Sequence, residues 1–210
     1  MARRSSLLLV TPPAVEPLDL ATVKSWIKQD GSDDDALITT LIQAAREAAE
    51  KFLRRALITQ TWRLTLDLEQ CSYGNDLPGG VYELPISALY GGLPNIIELP
   101  MPPLQSVTSV TTYDTSNAGT VYDPGNYFVD ISGERLVLND NAIWPGVLRW
   151  KATCEVVFVV GYGTDVTKIP QAIKSGMLMH IQKMYDGRLV CDLPGSSEQL
   201  YRSYRVYGER

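Results

Sequence analysis

SDDDALITTLIQAAREAAEKFLRR, residues Ser32 to Arg55, is the stretch whose reading decides the fold. Its apolar residues fall at Ile38, Leu41, Ile42, Ala45, Ala49 and Phe52, the i, i+3, i+4, i+7 spacing of one helical stripe. Ser32 with Asp35 three residues on reads as a capping box. Asp33, Asp34 and Asp35 at the front and Arg54-Arg55 at the back suit the helix dipole. Glu47–Lys51 and Glu50–Arg54 are i,i+4 pairs in the favourable order, each contributing about 0.2–0.5 kcal/mol. Ala44, Ala45, Ala48 and Ala49 let another helix, or a neighbouring subunit, approach closely. This is a scaffold helix, and nothing on it is catalytic in pattern.

Upstream, residues 1–17 hold Pro12, Pro13 and Pro17 with little periodicity and read as an extended N-terminal arm. Asp19 can cap a short helix through Lys28, with Leu20, Val23 and Ile27 on one face and Asp30-Gly31 ending it. The short link to the long helix predicts an antiparallel pair. Downstream the period changes to two. Thr59 to Leu68 alternates through Trp62, Leu64, Leu66 and Leu68 as a half-buried strand. Residues 70–95 read as a long excursion loop. Strands follow at 96–100, Val107 to Tyr113, Tyr127 to Ile131, Arg135 to Leu138 and Thr153 to Val160, the last apolar enough to be central. Helix returns after Pro170 with Ile173, Met177, Ile181 and Met184 on its face. The fold class is therefore α+β: an N-terminal helix pair and a C-terminal helix packed together, around a β-rich antiparallel middle. The boundaries are an arm at 1–17, a domain at 18–190 (helices 19–29, 33–55 and 170–186; β-rich 57–162) and a tail at 191–210.

The 210 residues suffice for one sizeable core or two small ones, and a net charge of −5 speaks against a whole-surface nucleic-acid binder. Cys71, Cys154 and Cys191 lie far apart without metal spacing, as free thiols in a reducing compartment do. MARRSSLLLV starts like a secretion signal, but Thr11-Pro12-Pro13 cuts the apolar run short. No stretch reaches the roughly 18 apolar residues a membrane span needs, so a cytoplasmic location without a membrane partner is expected.

Enzyme signatures are sparse. The single histidine, His180, sits on the apolar face of the last long helix, where packing is the ordinary role. Asp33-Asp34-Asp35 lacks the glycine and alternation of a calcium loop, and Gly161-Tyr162-Gly163 does not open into a helix as a phosphate loop does. No metal, cofactor or catalytic residue is expected. The tail differs: Tyr201, Tyr204 and Tyr207 recur every third position among Arg202, Arg205 and Arg210. Tyrosine and arginine concentrate binding energy at interfaces. That segment reads as a short helix or an extended tail.

The order of elements resembles the head–tail connector (adaptor, head-completion) proteins of tailed phages and of phage-derived gene transfer agents. Four stretches carry the resemblance: Glu16 to Lys24 leading to Asp34-Asp35 and Leu41 to Glu47; Ala56 to Trp62; Ile97 to Val107, similar to an LP-x-x-P-L-x-S-V segment; and Val157 to Gly163 with Ile169-Pro170, Met184-Tyr185 and Arg188. The resemblance implies a structural protein of a virion neck, assembled in the bacterial cytoplasm. Such proteins form a ring, usually dodecameric, beneath the portal. The ring extends the DNA channel, through which double-stranded DNA passes without sequence-specific binding, and meets a downstream tail or stopper protein. On this reading Tyr201, Arg202, Tyr204, Arg205, Tyr207 and Arg210 are expected to bind the portal. Asp33, Asp34, Asp35, Arg46, Glu47, Glu50 and Arg54 are expected at a subunit interface or the channel. The rivals are a vertex-associated hydrolase using two carboxylates and a nucleic-acid-binding module.

Overall fold

Two helices lead the helical part of the chain, α1 (Leu20–Ile27) and α2 (Asp35–Leu53), in a computed structural model that describes residues 5–68, 92–187 and 192–207. Asp19 caps α1, its carboxylate accepting the Thr22 N–H at 2.6 Å. The start of α2 departs from the capping box expected on Ser32. The helix begins at Asp35, and Asp34 stands at its N-cap without a side-chain cap bond. Its carboxylates are engaged by neighbours instead. Lys24 Nζ lies 2.6 Å from Asp35 Oδ1, and the Tyr185 hydroxyl donates to Asp34 Oδ2 at 2.6 Å. A carboxylate held by another helix cannot also fold back onto its own amides. Both helices end in a left-handed basic residue, Lys28 (φ 58°) and Arg54 (φ 54°), whose N–H returns to the carbonyl of Lys24 and Glu50 respectively.

Of the apolar stripe, Ile38, Ile42, Ala45 and Ala49 are buried, Leu41 and Phe52 are partly buried, and Leu53 beside them is buried too. They meet Ile173, Met177, Ile181 and Met184 of α3 (Gln171–Gly187), with Leu18, Val23, Leu57 and Ile58 completing the cluster. Pro170 precedes α3, and its carbonyl accepts the Ile173 N–H at 3.0 Å. The last helix, α4 (Gly195–Tyr201), runs into a single 3-10 turn at Arg202–Tyr204. These elements form one compact unit, drawn from Pro12–Gln60, Pro100–Pro103 and Val160–Arg210.

The second unit comprises Met1–Thr11, Thr61–Leu99 and Leu104–Val159 and is built of sheet. Its strands are β1 (Ser5–Thr11), β2 (Gln60–Leu66), β3 (Ile96–Glu98), β4 (Leu104–Tyr113), β5 (Gly119–Val121), β6 (Tyr127–Asp130), β7 (Arg135–Leu138) and β8 (Cys154–Val160). Five pair in the order β1-β2-β8-β4-β5 and three in the order β3-β7-β6. The β8 strand holds the middle of the larger sheet, as its apolar run predicts, with Cys154, Val156, Phe158 and Val160 buried on alternate positions. The chain runs antiparallel along it. Thr153, at its start, bonds to Leu66 and Tyr113 at the ends of β2 and β4, while Gly161 past its end bonds to Pro103 before β4. In the smaller sheet Ile97 and Leu136 bury one face, and Ile96, Val137 and Phe128 pair across the other.

Two elements differ from expectation. Ser5–Thr11, inside the expected arm, is an edge strand paired antiparallel with β2. Gly119–Val121, outside the strands expected from the sequence, adds a short strand beside Thr111–Tyr113. The expected loop at 70–95 lies largely outside the described residues.

Candidate docking surface

Three of the family-like stretches converge on one backbone junction in the helical unit. Ala56 donates to the Pro102 carbonyl at 3.1 Å, Gly161 to Pro103 at 2.9 Å and Thr59 to Gly163 at 3.2 Å. Gly161 has φ +117°, and any side chain there would run into the Ile58 carbonyl oxygen. The motifs are therefore architectural: prolines supply carbonyls and glycine allows the close approach. They hold the exit of α2 in place.

At that exit the end of the chain is strapped down. Val206 donates to the Leu53 carbonyl at 2.9 Å, and Arg55 Nε to the Tyr204 carbonyl at 2.7 Å. The Arg205 guanidinium lies 4.7 Å from the Phe52 ring and 5.6 Å from the Tyr207 ring. Tyr201 is fully buried. Its ring sits 6.0 Å from Phe52 and directly on Gly176 of α3, where no side chain would fit, while the Ser197 hydroxyl donates to the Gly176 carbonyl at 2.9 Å. Burial pushes the Tyr201 hydroxyl well above its ordinary range, and no hydrogen bond to it forms among the described residues.

The residues singled out from sequence thus separate into groups. Tyr201 belongs to the core and offers no surface to a partner. Arg202 and Tyr207 are exposed and Tyr204 and Arg205 partly so, while Arg210 lies outside the described residues. Arg55, Tyr204, Arg205 and Tyr207 meet around Phe52 as one cationic, aromatic surface at the end of α2, where Lys51 and Arg54 of the same helix end are exposed. Arg46 and Glu50 are buried, at 8% and 6% exposure, in a network of their own. Arg46 Nε lies 2.9 Å from Glu16 and its Nη1 3.0 Å from Glu50, which also accepts the Leu57 N–H and the Gln60 amide. Both are committed inside the subunit. Glu47 and Asp33 remain exposed, and Asp34 and Asp35 are partly covered by their partners.

Local pattern could not show that Arg55 and Phe52 share a surface with residues 202–207. One signal was present, the lone glycine in the middle of α3, since a glycine inside a helix costs about 1 kcal/mol unless something packs on it. A direct check follows from the buried hydroxyl. Tyr201→Phe removes an unpartnered polar group and keeps the ring, so stability should hold or rise by about 1 kcal/mol in urea unfolding. A loss of more than that would mean the hydroxyl has a partner.

His180 is buried on the inner side of α3, and Cys154 is buried with its thiol pushed up to about 12, chiefly by burial. Cys71 and Cys191 lie outside the described residues. Among the described residues no cluster of three or more His, Cys, Asp or Glu is placed to hold a metal ion, and no helix is long and apolar enough to cross a membrane.

Comparison with known proteins points to one class. Residues 17–119 match the family of phage gp6-like head-tail connector proteins, bearing out the resemblance read from the sequence. The α+β fold as a whole is that of chains from gene transfer agent particles. A chain in the neck of an empty particle, computed with C6 symmetry, superimposes with a TM-score of 0.70 at 19% identity, covering 98% of this chain and 97% of the other. One from a native virion gives 0.69 at 18% identity over 97% of each chain. Another, from a native neck computed with C12 symmetry, gives 0.68 at 19% identity over 98% and 97%. No curated protein matches the chain. Over residues 17–119 the chain is similar to the head–tail connectors, and as a whole it has the fold of these gene transfer agent chains.

Proposed function

We propose that the chain is a ring-forming head–tail connector of a phage-like particle. Copies stand side by side around the passage for packaged DNA, joining a portal on one side to the next tail component on the other. The observation that carries this reading is the likeness of nearly the whole chain to chains from gene transfer agent necks with C6 or C12 symmetry. The buried content agrees with a structural role, because the ionic network and the family-like motifs serve packing.

The cationic surface at the end of α2 docks the portal, through Arg202, Tyr204, Arg205 and Tyr207. Planar guanidinium groups and rigid aromatic rings make this a good anchor. The acidic turn before α2, with Asp33 its exposed member, faces the channel and keeps phosphates from sticking there.

Removing residues 199–210 would take Tyr201 out of the core and confuse docking with folding. The triple variant Arg202→Ala, Arg205→Ala, Tyr207→Ala avoids this, because Arg202 and Tyr207 are exposed and the Arg205 guanidinium rests on ring faces at the surface. It should unfold near the wild-type midpoint yet join portal-bearing heads at least about thirtyfold more weakly, as the loss of roughly 2 kcal/mol of anchor contacts requires. Wild-type joining by a folded triple variant would refute the portal assignment. Failure of the wild-type chain to appear in particle necks would refute the connector reading itself.

A further inference from the structure

The five-stranded sheet ends in β1 and β5, and no further strand pairs with either among the described residues. At one end β1 has the sequence SSLLLVT with all seven residues exposed. Leu7 is 37% exposed, Leu8 56%, Leu9 39% and Val10 43%. The register explains why this is unusual. Leu7 stands opposite Leu64 and Leu9 opposite Trp62, so the core face of β2 continues onto β1, where it is left over a third exposed. Leu8, opposite Arg63, adds apolar area on the reverse face. At the other end β5, Gly119–Val121, is also exposed throughout, with Val121 at 65%. Folded chains usually guard such edges with charge, proline or a covering element, to stop strands adding on. Neither edge strand here contains a charged residue or a proline.

Resting on the connector reading above, we propose that β1 of each copy adds to the β5 edge of the next, so that the sheets join around the ring. Rotational symmetry of order above two demands a heterologous contact, in which a surface meets a different surface on its neighbour. Opposite edges of one sheet fit that demand: every copy supplies one apolar edge and accepts one. Backbone hydrogen bonds along the seam give affinity, and Leu7, Leu8 and Leu9 bury against the neighbour, as in strand addition generally. A β1–β1 contact would be two-fold and would close a dimer instead.

The sheet supplies its own test. Four strand spacings separate β1 from β5, about 19 Å, whereas a disulfide needs Cα atoms roughly 4.4–6.8 Å apart. A chain carrying both Leu8→Cys and Val121→Cys therefore cannot bridge to itself across the sheet, only to another copy. Particles built with this chain, oxidised and run on a non-reducing gel, should show a ladder extending past dimer. Either single variant should give none beyond the wild-type background. As a second measurement, Leu8→Asp should keep the wild-type unfolding midpoint and enter necks roughly tenfold less or worse. A neck-located double-cysteine chain that stays monomeric, or a Leu8→Cys chain that dimerises alone, overturns the seam while leaving the connector reading in place. Absence of the wild-type chain from necks overturns that reading instead.

Discussion

Glu50→Ala should destabilise the protein by about 3 kcal/mol, because it strips the buried Arg46 of its buried partner and leaves the partly exposed Glu16 to balance that charge. The carboxylate removed also accepts the Leu57 N–H at 2.9 Å and the Gln60 amide at 2.7 Å. One truncation therefore orphans three donors. Against a total stability typically about 5–15 kcal/mol, such a loss would leave a large unfolded fraction at 37 °C. The measurement is urea unfolding followed by circular dichroism. A pair exchange separates charge from hydrogen bonding: Arg46→Met with Glu50→Leu removes both charges and should recover only the part of the loss due to Arg46, since the Leu57 and Gln60 donors stay unpaired. A loss under about 1 kcal/mol for Glu50→Ala would instead describe an exposed pair.

Acid should not act through this site. Burial raises Glu50 above the ordinary carboxylate range, and the hydrogen bonds and Arg46 only partly offset it. A folded-state pKa above the unfolded value means that protonation on acidification favours the folded form at this residue. The opposite holds for Asp165, lowered by hydrogen bonds from the Thr167 hydroxyl and N–H. Its contribution is present above the unfolded pKa and disappears as pH falls through the folded one. It lies at the surface, where solvent screens the effect.

The second large effect is expected at Gly176, and its sign is the test. In an ordinary helix interior, Gly→Ala stabilises by about 1 kcal/mol. Here even a methyl group would collide with the Tyr201 ring. Gly176→Ala should therefore destabilise by about 1–3 kcal/mol through overpacking. Gly176→Val, which expels the ring, should approach the roughly 3–5 kcal/mol typical of losing a buried aromatic. The two positions should also be strongly non-additive: once Tyr201→Ala has emptied the site, Gly176→Ala should return to its usual stabilising sign. Independent, additive effects would mean that the ring does not rest there.

What the sequence revealed and what it concealed follow from the range of the interactions. The α2 stripe, the Asp19 cap and the central position of β8 rest on spacing within a few residues, and all were legible. Arg46 and Glu50 were legible only as surface charges, because the groups that cover them, Glu16, Leu57 and Gln60, belong to other stretches. The same holds for β1. Its apolar run was visible, but its partner β2 lies more than fifty residues on, so it read as an arm. Tyr201 was misplaced for a related reason: a tyrosine repeat at three-residue spacing says nothing about a glycine in the preceding helix.

The way the helical unit is assembled from the chain has a consequence for synthesis. Its core is shared by α2, made early, and by α3 and Tyr201, made after every described sheet strand. During translation the oily side of α2 waits uncovered until α3 packs on it, and Tyr201 completes the cluster when its ring reaches Gly176. A polypeptide interrupted before that point keeps a sticky, half-built body, which proteases and chaperones would intercept before it could join others. The arrival of Tyr201 thus marks the point at which the helical core is closed.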